Sequence, residues 1–191
     1  MGESGKTRVN SLTIGWMAPA PAARGPMLRF LFLFPVCLLL GFGLLLAPFS
    51  APASNAFTTG LASFCAAIIR LFGGQALAYG NLLRHPLNGF GISIEYGCNG
   101  ANVTVLLWAA MLTFPATWTQ KAKGLAAGTL AIHGMNVVRL ISLYYLGQYN
   151  QGWFEFAHLY LWESLLVLDT LVVFWVWAGI VQRGRGAASG G

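Results

Sequence analysis

Charge is what this sequence has least of. Of its 191 residues only 8% are Asp, Glu, Lys or Arg, and only five of those are acidic. A soluble domain carries roughly 25% charged residues, so a water-facing surface cannot be built from this chain and lipid must cover most of it. Cysteine is scarce too: Cys37, Cys65 and Cys98 are odd in number and form no C-x-x-C. That excludes a disulfide framework, a zinc site and thiol–disulfide exchange with a nearby resolving cysteine. No internal repeat is visible.

What is present is apolar: 57% of the residues are hydrophobic, in runs spread evenly along the chain. Residues 28–48, 99–118, 125–146 and 157–181 each reach the ~20 residues that cross a bilayer as a helix. The net charge of +6 does not point to nucleic acid, because of where the cations sit. Eight of the eleven lie outside the apolar runs or at their edge, as Lys6, Arg8, Arg24, Arg29, Lys121, Lys123, Arg183 and Arg185. That is the positive-inside pattern. It puts both termini and the Lys121–Lys123 loop in the cytoplasm.

This topology closes only if residues 49–91 begin and end outside. The helix expected over residues 57–72 is short and carries Arg70, so it is read as interfacial or re-entrant. Glycines and a proline punctuate residues 73–91. Ile92-Ser93-Ile94-Glu95-Tyr96 then alternates as a strand does, so an extended segment or hairpin precedes Cys98. The fold expected is therefore an all-α membrane protein with about four transmembrane helices, an extracytoplasmic interfacial or re-entrant helix, and a short extended segment before Cys98. Residues 1–27 read as a disordered cytoplasmic tail, 28–182 as a single transmembrane domain and 183–191 as a second cytoplasmic tail.

The same topology gathers three reactive side chains. Cys98 falls at the outer mouth of the second span and His158 at that of the last. Arg139 lies eight residues before Gly147, ~12 Å below the outer end of its helix at 1.5 Å per residue. An arginine in a span costs ~2.5–3.5 kcal/mol and should face the bundle interior with a partner. Cys98 lies in Tyr96-Gly97-Cys98-Asn99-Gly100, where glycines leave the sulfur open and a helix N-terminus would favour thiolate. His158 is placed to take the thiol proton and later protonate a leaving amine. Arg139 suits an oxyanion or a carboxylate, and Asn136, one turn away on the same face, adds a donor. By depth, Glu163 should lie near Arg139, where it could also orient His158, and His133 should lie near Asp169. Each residue also has a structural alternative: a packed thiol, an interfacial histidine, an ion pair that locks helices. Two other functions stay open on these residues alone. One is a small transporter or channel subunit with a polar path through Arg139, Glu163, His133 and Asp169; the other is a structural membrane subunit.

The ordered trio resembles the exosortase/archaeosortase family. The matching stretches are Glu95-Tyr96-Gly97-Cys98-Asn99-Gly100-Ala101, Asn136-Val137-Val138-Arg139 and Phe156-Ala157-His158, within roughly residues 60–180. The chain is short and is similar to the compact exosortases, exosortase H among them. It departs at Asn99, where the family commonly has a serine. The resemblance implies a membrane cysteine protease/transpeptidase of the bacterial inner membrane, with its active site facing the periplasm. Cys98 would be the nucleophile, His158 the base and acid, and Arg139 the polarising cation, with Asn136, Asn99 and Glu163 in support. The implied partners are exported proteins ending in a sorting tail (a short motif, a transmembrane helix and a basic end) and the membrane lipid. No metal or other cofactor is implied.

Overall fold

The computed structural model describes the backbone of residues 21–189 and the side chains of residues 28–185. Most of the expected N-terminal tail lies outside the described residues. Helix α1 (Pro21–Leu46) ends at a short 3-10 turn, Pro48–Ser50, and α2 (Ala51–Leu71) follows. Strands β1 (Leu77–Tyr79), β2 (Leu82–Arg84) and β3 (Gly91–Ser93) form a small antiparallel sheet. Then come α3 (Ala101–Thr113), α4 (Trp118–Tyr149), α5 (Gln151–Phe156), a π turn over Ala157–Leu161, and α6 (Trp162–Ser189).

Among the described residues three stretches are long and apolar enough to cross a membrane: Leu28–Leu46, Trp118–Tyr149 and Gln151–Arg185. The protein is a multi-pass membrane protein. The expected second span, residues 99–118, is the one that differs. Its helix has 13 residues, about 20 Å at 1.5 Å per residue, well short of a ~30 Å hydrocarbon core. Two local features stop it. Pro115 forces Phe114 out of the helix into extended backbone, at φ −67° and ψ 139°. Thr117 and Gln120 then close a reciprocal capping box that starts α4.

This shortness sets the geometry of everything above it. A four-residue connection folds α3 back along α4, which has 32 residues. The top of α3 therefore reaches only to the middle of α4. There Gly100, at φ +80°, lies against Asn136 and His133; a Cβ at Gly100 would sit 3.3 Å from the Asn136 amide and 3.4 Å from the His133 ring.

The space left above α3 is filled by α2 and the sheet. Phe57, near the start of α2, meets the His133 ring edge-on, with centroids 5.2 Å apart. Just past the end of α2, the carbonyl of Gln75 accepts from the Tyr144 hydroxyl at 2.6 Å. So α2 runs beside the second half of α4 and in the same direction. Its buried face, with Leu61, Cys65 and Ile69, packs with Leu83, Ile92, Ile94, Leu140 and Tyr144 into one core. A second core, with Leu107, Met111, Ile132 and Trp177, joins the other half of α4 to α3 and α6. Gly124 lets α6 approach: a Cβ there would run into the Trp177 indole, which donates to the Gln120 carbonyl at 3.1 Å.

The extended segment before Cys98 is present, as the last strand of a three-stranded sheet. Leu83 pairs with Ile92 and Leu82 with Ser93. Ile92 and Ile94 are buried while Ser93 and Glu95 are exposed, as their alternation requires.

Candidate active site

The two cores meet at the level where α3 begins, and a cleft of ≈ 350 Å³ opens there. Cys98, Arg139 and His158 all line it, together with the strand edge Gly91–Ser93, Glu95, Gln151 and Phe154. Three separate segments contribute the three side chains: the turn before α3, the middle of α4, and the π turn that links α5 to α6.

Cys98 is half-buried and unpaired. Its N–H donates to the Glu95 carbonyl at 2.9 Å, so it sits on the turn rather than in the helix. The thiol lies above the ordinary thiol value. Burial is the main cause; the Arg139 cation opposes it, the Glu163 and Glu95 carboxylates reinforce it, and the turn hydrogen bond opposes it. The expected place at a helix N-terminus is corrected here: α3 begins three residues later, at Ala101.

Arg139 is buried, with its side chain 2% exposed. Its Nη2 stands 3.6 Å from Glu163 Oε2, the ion pair expected from depth, and 4.0 Å from Cys98 Sγ, the outer limit for a contact to sulfur. Nε and Nη1 are buried with no partner among the described residues. A buried guanidinium held by one exposed carboxylate on one side is under-satisfied, and Nη2 is the donor that stands beside the thiol.

His158 stacks on Phe154, centroids 5.7 Å apart and planes 14° apart. The stacking fixes the ring plane, and Nδ1 is buried without a partner among the described residues. The extra residue of a π turn rotates the helix locally, and such bulges are frequent at functional sites.

The supporting residues lie beneath. Asn99 accepts from the Ala101 N–H at 3.0 Å, which fixes the turn, while its Nδ2 has no partner. Asn136 is fully buried with both polar atoms unpartnered. Thr104 donates to the Gly100 carbonyl at 2.9 Å, so its oxygen accepts from His133 Nε2, 3.4 Å away. The expected His133–Asp169 pair is not formed, and Asp169 Oδ2 is unpartnered. Equal depth brought them together on paper, but the helical phase of α4 turns His133 toward α2 and α3. Thr104 and Phe154 were not anticipated. Thr104 carried a signal, a hydroxyl in the first turn of a helix able to bond back four residues; Phe154 carried none beyond its place one turn before His158.

Among the described residues no three His, Cys, Asp or Glu side chains converge as a metal site. What the cleft offers is a thiol, an imidazole and a guanidinium in a partly desolvated pocket. The family model for transmembrane exosortases matches residues 9–180. The chain belongs to that family. No curated protein and no solved structure matches it. Family membership makes this exosortase a membrane protein of a class associated with protein sorting.

Proposed function

We propose that this exosortase is a membrane cysteine protease/transpeptidase that cuts the C-terminal sorting tail from exported proteins on the extracytoplasmic side of the bacterial inner membrane, with both its termini in the cytoplasm. The observation that carries the reading is the single cleft lined by Cys98, Arg139 and His158. A thiol held above its ordinary value by burial is a poor spontaneous nucleophile, so it needs a base, and His158 is the imidazole at hand. Cys98 Sγ attacks the scissile carbonyl carbon as His158 takes the thiol proton. The oxyanion that forms meets the Arg139 guanidinium, whose Nη2 lies 4.0 Å from Cys98 Sγ. The C–N bond then breaks, and the imidazolium returns its proton to the leaving amine. The acyl-enzyme left on Cys98 passes to water or to an amine. Glu163 holds the guanidinium in place, while Asn136 and Asn99 underpin the Cys98 turn.

The test is processing of a tailed substrate. Cys98→Ala should abolish it while the protein still accumulates in the membrane, and Cys37→Ala and Cys65→Ala should leave it intact. Full processing by Cys98→Ala would remove the nucleophile and the reading with it.

A further inference from the structure

A second cleft, of ≈ 560 Å³, shares a lining residue with the first. Its walls are the end of α1, the first turns of α2, the hairpin turn at Gly80 and Asn81, and Ile94–Tyr96. Only Glu95 lines both clefts, and Glu95 is three residues before Cys98. Three observations say what the second cleft would take.

First, Glu95 is the only charged residue lining it. The other polar groups are neutral hydroxyls and amides, including Ser54, Asn55, Thr59 and Asn81. Second, the carboxylate is anchored. Asn81 Nδ2 donates to Ser93 Oγ at 3.1 Å, and Ser93 Oγ donates to Glu95 Oε1 at 2.5 Å. Third, Glu95 forms no ion pair among the described residues, so one carboxylate oxygen remains for a ligand. An oriented, unpaired carboxylate among neutral acceptors suits a primary ammonium, which has three donors and no acceptor. An anion would meet no cation there. Leu45, Leu46 and Pro48, which also line the cleft, tolerate an apolar attachment to the amine.

We propose that this second cleft is the acceptor subsite, in which Glu95 binds the ammonium of a primary amine that resolves the acyl-enzyme on Cys98. The inference rests on the transpeptidase reading above. The bound ammonium first loses one proton to solvent. The amine nitrogen attacks the thioester carbonyl; the C–N bond forms and the C–S bond breaks. Neutral His158 takes the second nitrogen proton and passes it to the departing thiolate, so amide and free thiol are the products. The amine could come from a phospholipid headgroup such as ethanolamine or from a soluble amine; both present the same ammonium.

The experiment uses the full chain in nanodiscs with a tailed substrate, scoring cleavage, hydrolysis and transfer separately. Phosphatidylcholine discs receive soluble ethanolamine; phosphatidylethanolamine discs receive none. Transfer in the first arm identifies a soluble source, transfer in the second a lipid source, and either supports the subsite. Glu95→Gln should raise the half-saturating ethanolamine concentration, or lower transfer to the lipid amine, by roughly tenfold, the usual cost of losing a charge-assisted hydrogen bond. Its acyl-enzyme, once formed, should partition away from ethanolamine and toward hydroxylamine, which is neutral at pH 7 and does not need the carboxylate, by the same factor. Formation of that acyl-enzyme also reports a folded variant. Unchanged amine dependence in Glu95→Gln overturns the inference, as does hydrolysis with no amine transfer by a wild type that cleaves. A wild type that does not cleave removes the transpeptidase reading and the subsite together.

Discussion

Arg139 carries more donors than the protein uses, and its neighbours pull the Cys98 thiol in opposite directions. The cation favours thiolate, and the Glu163 carboxylate opposes it. Neutral variants should therefore have effects of opposite sign on alkylation by iodoacetamide, which reads the thiolate fraction. In the wild type, alkylation should reach half its maximal rate at a higher pH than for free cysteine, because burial raises the thiol. Arg139→Gln should slow alkylation at pH 7.5 by roughly three- to tenfold, a shift of up to one pK unit. Glu163→Gln should speed it. Equal and unchanged rates in both variants would separate the two charges from the sulfur. In processing assays Arg139→Ala should lose activity by orders of magnitude. Arg139→Lys should not restore it, because an ammonium lacks the planar fork that can hold Glu163 and an oxyanion at once.

At the scale of elements, the short α3 and the turn before it position the thiol. Gly100 must adopt φ +80° and must lie within contact of Asn136. Gly100→Ala combines ~1–2 kcal/mol of left-handed backbone strain with pressure on a buried amide. It should cut processing at least tenfold while the protein still inserts, which is checked by membrane fractionation beside the activity assay. Wild-type processing by this variant would show that the turn does not set the position of Cys98. Much at this scale was legible in the sequence. Hydropathy gave the long spans, and the alternation of Ile92, Ser93, Ile94 and Glu95 gave the strand. The length of α3 is hidden because Pro115 sits among Leu112, Phe114, Ala116 and Trp118, and hydropathy does not register a helix stop. The Thr117–Gln120 capping pattern was the available sign. The direction of α2 had no local signature, since it depends on contacts between Phe57 and His133 and between Gln75 and Tyr144, which are far apart in the chain.

Across the whole molecule, topology did most of the work. Counting cations located Cys98, Arg139 and His158 on one side at similar depth, and depth also paired Arg139 with Glu163. Depth alone could not pair His133 with Asp169, because two helices at one level meet only if their phases agree. The second cleft was invisible beforehand, being built from α1, α2 and the hairpin at once. Orientation is open to direct measurement. In a chain keeping only Cys98, a charged, membrane-impermeant methanethiosulfonate should label the thiol in intact cells from the periplasmic side. Labelling only in inverted vesicles would reverse the topology and place the cleft on the wrong side for exported substrates.

The most direct measurement is the mass of the enzyme itself. After brief mixing with a tailed substrate and acid quenching, peptide mass spectrometry should find the substrate's upstream fragment as a thioester on Cys98. The adduct should be released by hydroxylamine, absent from Cys98→Ala, and severely reduced in His158→Ala. Cleaved substrate without that adduct at any time, or an adduct on another residue, would contradict acyl transfer through Cys98.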